Sequence, residues 1–322
     1  MYTQKPYSRR NFIKTMGLAG AGIPLISLTN PFHKESRGTG KEDWKIYLFS
    51  KHLQFLSYEE TAETMKEAGL AGADLTVRPG GHVLPENVTT DLPKAVNAFE
   101  KKGLKIGMMT SGITDADDRH TEPVLKTASD TGIHYYRLGY YSYIDELGIK
   151  ESIDSHKQKL EKVADLNARY NMHGGYQNHS GTRVGGPVWD VWMLVKDLDP
   201  NLIGCQYDIR HATVEGGFSW PLGLQLLQDH VQTIVIKDFK WAETNTGWRV
   251  KNVPLGEGMV NFEKYFSLLK ELNIRAPITL HIEYPLYKGN NLSKKEKRKQ
   301  ALDTISKDVR TLKNILMKFG LV

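Results

Sequence analysis

The sequence contains a single cysteine, Cys205, in 322 residues, so no intrachain disulfide can form. Stability has to come from burial, and a chain this long encloses a sizeable core without disulfides or metals as staples. Its make-up allows that, with 40% hydrophobic and 25% charged residues, the proportions of an ordinary globular protein. No G-x-G-x-x-G follows a strand-like run and no G-x-x-x-x-G-K-S/T is present, which removes dinucleotide-binding and P-loop folds. Long apolar runs are missing as well. The best stretch, 15–28, is diluted by Gly17, Gly20, Gly22 and Pro24 and falls short of the roughly 20 residues that span a bilayer. Net charge is only +6, and much of the excess sits in Lys288, Lys294, Lys295, Lys297, Arg298 and Lys299, interrupted by Glu296. That stretch has no interleaved aromatics to stack on bases, so it reads as the solvated first turn of a last helix. Nucleic acid is set aside as a partner.

What is present begins with Ser8-Arg9-Arg10-Asn11-Phe12-Ile13-Lys14. This segment resembles a twin-arginine export signal, with the lightly apolar stretch 15–28 behind it. The resemblance implies passage across the membrane in the folded state and a periplasmic or otherwise extracytoplasmic location. It leaves no stable membrane span unless the leader is retained. Residues 31–44, rich in Pro, Gly, Ser and charge, read as a linker. The expected organisation is a signal segment at 1–30, the linker at 31–44 and one folded domain at 45–322.

Within that domain, short apolar runs alternate with helix-length amphipathic stretches. Strands are expected at 45–49, 73–77, 105–109, 135–138, 174–177, 203–207, 233–236 and 278–282. The intervening helices are expected at 58–68, 91–102, 122–130, 151–170, 188–195, 221–228, 261–272 and 295–319. Eight β-α units in succession argue for parallel β-α-β connections. Their number and length suit a closed α/β (β/α)8 TIM barrel, which takes about 250 residues.

Barrel enzymes place their chemistry on the loops that follow the strands. Polar residues collect there: Arg78 and His82 after the second strand, Arg137 at the fourth, and Gln177, Asn178 and His179 at the fifth. Asp208, Arg210 and His211 follow the sixth, Lys237 and Asp238 the seventh, and His281 and Glu283 the eighth. One such residue alone reads as a satisfied structural side chain. Six sets at the same end of six strands predict a site. Trp241, after the seventh strand, could stack on a sugar face, whereas Trp220 beside Pro221 reads as packing.

Five segments carry a family resemblance: Asp74-Leu75-Thr76-Val77-Arg78-Pro79-Gly80-Gly81-His82, Asp208-Ile209-Arg210-His211, Val235-Ile236-Lys237-Asp238, Pro254-Leu255-Gly256-Glu257-Gly258 and His281-Ile282-Glu283. Together, in order and spacing, they resemble the xylose-isomerase-like barrels of the sugar phosphate isomerase/epimerase superfamily. The resemblance implies a divalent cation (Mn²⁺, Mg²⁺ or Zn²⁺) held by Glu, Asp, His and Glu from strands five to eight, and carboxylates that exchange a carbon-bound proton. Carried over residue by residue, Asp208 matches the family aspartate, His211 its substrate-contacting histidine and Glu283 its last glutamate. Gln177 stands at the first glutamate and Val235 at the metal-binding histidine. Gln177 supplies no charge and Val235 no donor, so the expected metal site is Asp208, Glu283 and Gln177, holding a cation loosely or not at all.

The resulting expectation is a sugar-active isomerase or epimerase that abstracts a proton beside a carbonyl. Glu283 would be the base, and Lys237 or His211 would supply a proton or stabilise the enediolate. Arg78, His82, Arg137, His179, Trp241 and His281 would bind the substrate. Lys237 could equally form an ordinary strand-end ion pair with Asp208 or Asp238. With one family base left, β-elimination from a keto-sugar glycoside is the alternative chemistry. A non-catalytic carbohydrate-binding barrel is the alternative from another class, and a nuclease of the same superfamily would need a fuller ligand set. The expected partner is a small sugar or sugar derivative, and a homo-oligomer is left open.

Overall fold

A computed structural model describes residues 44–321. The expected signal segment and the expected linker, as far as residue 43, lie outside these described residues. The chain alternates β1 (Ile46–Phe49), α1 (Tyr58–Glu67), β2 (Gly72–Val77), α2 (Val88–Glu100), β3 (Lys105–Ser111), α3 (Thr121–Asp130), β4 (Tyr135–Arg137) and α4 (Ile149–Tyr170). It continues with β5 (His173–Gln177), α5 (Val188–Val195), β6 (Ile203–Asp208), α6 (Ile209–Gly216), α7 (Trp220–Leu227) and β7 (Val231–Ile236). The hairpin β8 (Asp238–Thr244) and β9 (Gly247–Val253) precedes α8 (Phe262–Glu271), β10 (Ile278–Leu280) and α9 (Lys294–Lys318).

Eight strands close a parallel barrel in the order β1-β10-β7-β6-β5-β4-β3-β2, as expected of a (β/α)8 fold. Most barrel strands are buried along their whole length. This agrees with their continuous apolar runs, because helices cover the outside while side chains fill the inside. Inside, Asp74 is fully buried and accepts from Thr110 Oγ1 and Thr279 Oγ1, each at 2.9 Å. The helices begin where local chemistry allows. Ser57 with Glu60 and Ser293 with Glu296 form capping boxes at α1 and α9, satisfying amide donors that a first turn leaves open.

Two elements depart from the expected pattern. Helix α6 starts directly at the end of β6, and Asp208 caps it by accepting from His211 N at 3.1 Å. The region after β7 is a two-stranded antiparallel hairpin, not a loop, with Trp241 opposite Val250 and Glu243 opposite Trp248. It buries side chains only at its base, Asp238, Phe239 and Val253, so it offers no apolar run to read.

Candidate active site

The site is built at the C-terminal ends of β5, β6, β7 and β10. Asp208 and Lys237 are buried, and Glu283 is partly exposed. The Lys237 ammonium lies 3.0 Å from Asp208 Oδ2, 3.2 Å from Glu283 Oε1 and 2.8 Å from His211 Nε2. A lysine has three N–H donors, and these three acceptors use them all. The sequence left the partner of Lys237 open between Asp208 and Asp238. The ion pair is with Asp208, and Glu283 joins it. Asp238 does something else: it accepts from the backbone amides of Phe239, Gly256, Gly258 and Val260 at 2.8–3.1 Å. It thereby fastens the 254–260 loop, which passes so close that a Cβ on Gly258 would meet Asp238 Oδ1 at 2.2 Å.

Around this centre each oxygen is oriented by a neighbour. Gln177 Nε2 donates to Asp208 Oδ2 at 2.7 Å, while Gln177 Oε1 accepts from Tyr140 OH at 2.5 Å and Arg137 Nη1 at 3.4 Å. Asn178 exchanges two hydrogen bonds with the backbone of Asp208. His211 Nε2 faces the Lys237 ammonium, which can only donate, so the proton is assigned to Nδ1, which lies 2.7 Å from Ser180 Oγ and 2.8 Å from Arg210 Nη1. Burial, and then the charge of Lys237, holds His211 neutral, far below the ordinary histidine value. Burial, followed by Lys237, lowers His179 too, and its ring packs against His211 at 4.0 Å.

Glu283 is set by opposing forces. Burial pushes its carboxyl up, but His281 at 3.9 Å and Lys237 together outweigh burial and hold it well below the usual carboxylate range. His281 stacks on Phe49 at 4.3 Å and lies 3.7 Å from Asp74. Arg78 reaches the same edge over the Phe49 ring at 5.5 Å.

Of the residues expected from sequence, Gln177, Asp208, His211, Lys237 and Glu283 are brought into one network, with Arg137, His179 and His281 beside it. Trp241 stands on the hairpin. His82 is placed apart: its Nδ1 lies 3.0 Å from Ser50 Oγ and 3.3 Å from Thr76 Oγ1, binding its loop to β1 and β2. Burial lowers its pKa to about 4. Tyr140, Ser180 and Asn252 went unread. Tyr140 follows a strand and could have been noticed, but Asn252 reaches the site only through the hairpin, where its Oδ1 accepts from Arg210 Nη2 at 2.6 Å. A separate concavity lined by Val77, Pro79, Ile113 and Val124 opens between the β2 and β3 loops and holds none of these groups.

The residues present do not fit a resident divalent cation in this arrangement. The two carboxylates already face an ammonium, Gln177 is neutral and turned to Asp208, and buried Val235 has no donor. Among the described residues, no group of three His, Cys, Asp or Glu converges as a ligand set.

A family model described as a xylose isomerase-like TIM barrel matches residues 62–314. The chain belongs to that family. An uncharacterized protein of Methanocaldococcus jannaschii is 24% identical over 149 residues, 43% of this chain and 47% of that protein, so the match spans about half the length of this relative. Among solved structures, 3-keto-D-glucoside 4-epimerase from E. coli, in apo form, aligns with TM-score 0.60 and 14% identity over 83% of this chain and 99% of that one. A xylose isomerase-like TIM barrel protein from Mycobacterium smegmatis, in complex with magnesium, aligns with TM-score 0.63 and 12% identity over 88% and 100%. These likenesses concern the fold. In this xylose isomerase-like barrel an ammonium stands between two carboxylates.

Proposed function

We propose that this barrel is a sugar-active enzyme that moves a proton at the carbon beside a carbonyl, with Glu283 as base and Lys237 as the electrophile. The observation that carries the reading is the three-way engagement of the Lys237 ammonium by Asp208, Glu283 and His211. A buried cation at a strand-end mouth stabilises charge developing on a carbonyl oxygen, the role of a preorganised electrostatic partner. Asp208, itself held by Gln177, fixes Lys237. Glu283 is its longest and most exposed contact, so an incoming carbonyl oxygen takes the place of Glu283 on Lys237. That exchange releases the carboxylate from Lys237 and returns the share of its basicity that the ammonium had suppressed, with His281 still beside it. The base thus becomes competent only once substrate is seated.

The proton removed by Glu283 leaves an enediolate paired with Lys237. Return of the proton to the adjacent carbon or the other face gives isomerisation or epimerisation. Loss of an oxygen substituent one carbon further gives elimination. Elimination is favoured by the replacement of the second family carboxylate by Gln177, which leaves one base for the cycle. An export leader at residues 1–30 belongs with this reading, since it points to unphosphorylated sugars and glycosides. The kinship of fold with a 3-keto-D-glucoside epimerase supports a keto-sugar as the reacting ring.

The deciding experiment follows solvent deuterium by NMR into a panel of keto-sugars and their glycosides. Exchange or elimination by the wild type, lost in Glu283→Gln with binding retained, is the expected result. Saturable binding with no exchange on any panel member makes the protein a carbohydrate binder and overturns the proposal. Calorimetry with Mn²⁺ and Zn²⁺ tests the ammonium's role: Gln177→Glu with Val235→His should tighten binding over the wild type, and adding Lys237→Ala should tighten it again. Submicromolar affinity in the wild type would show that the ligands lie elsewhere.

A further inference from the structure

The β8–β9 hairpin is not used by the chemistry above, yet one of its faces starts at the site. Alternation and register put Phe239, Trp241 and Glu243 of β8 on one face with Asn252, Val250 and Trp248 of β9. At the base of that face Asn252 accepts from Arg210 and donates to the Glu283 backbone carbonyl at 3.3 Å. The Arg210 guanidinium lies over the Phe239 ring at 5.6 Å, and Trp241 meets Phe239 edge-on at 6.2 Å. Outward from the base the face stays aromatic but is uncovered: Trp241 is 42% and Trp248 61% exposed. The opposite face carries Lys240, Arg249 and Lys251, and its base is closed by the loop that Asp238 holds.

Single exposed apolar residues are common, but two tryptophans in one row leading out of a polar site are not scattered surface. Trp241 faces Val250 and Trp248 faces Glu243 across the hairpin, and such diagonal cross-strand neighbours are about 7–8 Å apart, so the two tryptophans tile a strip rather than a point. Tryptophan presents a broad electron-rich face, which suits the C–H face of a pyranose, and Glu243 beside Trp248 offers a carboxylate for its hydroxyls. We propose that this strip is a subsite for the second ring of a glycoside whose first, carbonyl-bearing ring sits at Lys237 and Glu283. This rests on the proposed function and narrows it: the substrate is a disaccharide or an aryl or alkyl glycoside, and the free monosaccharide is a poor one. Continuity with the site favours this occupant over a second copy of the chain.

The test uses Glu283→Gln, so that no turnover is needed, labelled with 5-fluorotryptophan. Cellobiose, maltose, lactose and their 3-oxo forms are titrated against the matching monosaccharides. Trp241→Phe and Trp248→Phe assign the two resonances. At least one disaccharide should bind about tenfold more tightly than its monosaccharide and shift both resonances saturably. Trp248→Ala should bring that ratio towards one, with thermal unfolding confirming that the barrel is intact. Equal affinities, no binding by any disaccharide, or resonances that respond to protein concentration in step with self-association in sedimentation all overturn the proposal. Binding on the strip without proton exchange in the active enzyme would instead leave the subsite standing and remove the proposed chemistry.

Discussion

Lys237 donates to an aspartate, a glutamate and a neutral histidine at once, and its removal has two separable consequences. Lys237→Met keeps the bulk but leaves buried Asp208 unpaired, which costs about 3–5 kcal/mol. It also deletes the electrophile, expected to lower turnover by roughly 10²–10³-fold. Adding Asp208→Asn should recover most of the stability and none of the turnover. Denaturant unfolding and exchange rates on the pair check this, and recovery of activity in the double variant would refute the role of the ammonium. The second expectation concerns pH. Glu283 is held anionic well below the carboxylate range, and His211 is held neutral far below the ordinary histidine value. Neither group changes charge as pH falls from 7 towards about 4, so neither should put an inflection there into the pH profile of kcat/KM, which reports the free enzyme. An inflection near pH 6 that disappears in Glu283→Gln would contradict the network as drawn.

Among the elements, α9 is tied to the barrel mouth by a buried carboxyl with the opposite behaviour. Asp308 accepts from Leu255 N at 3.2 Å and from Tyr284 OH at 2.8 Å, and burial pushes its pKa up to about 6. The folded protein therefore holds this proton more tightly than the unfolded chain. Stability from it is complete below about pH 4 and is lost as pH rises through 6, by at most about 3 kcal/mol. Asp308→Asn should remove that slope, seen as a wild-type minus variant difference in unfolding free energy that varies between pH 4 and 7. A constant difference would rule out titration of Asp308. The elements themselves differ in how far the sequence disclosed them. The barrel strands are buried on both faces and stand out as apolar runs, so the alternation was readable to within a few residues. The hairpin buries only its base and reads as polar loop, and α6 follows β6 without a break, so both were invisible. For the same reason the strand-end side chains could be named from sequence, while the closure of Lys237 onto Asp208 and Glu283 could not. It depends on β6, β7 and β10 being neighbours in the barrel, an adjacency that no local pattern encodes.

On the scale of the whole molecule, polar chemistry gathers at one rim of the barrel and the framework at the other, the division expected of this architecture. Among the described residues no helix is long and apolar enough to cross a membrane. The segment proposed as an export signal lies outside them. Replacing Arg9 and Arg10 with Lys is expected to retain folded protein in the cytoplasm, measured by cell fractionation, and unchanged export would disprove the twin-arginine assignment. The rim opposite the chemistry has its own lesson. Trp44 N donates to Leu321 O at 3.1 Å, so the two ends of the folded domain meet beside the start of β1. The backbone of residues 44–321 is nearly a ring. Joining residue 321 to residue 44 through a few glycines and reopening the chain at the exposed Thr246–Gly247 turn should give a circular permutant that refolds into the same barrel. That cut would also split the tryptophan strip from within, leaving Lys237 and its partners untouched. One rearranged gene would then ask the barrel to work without a continuous hairpin.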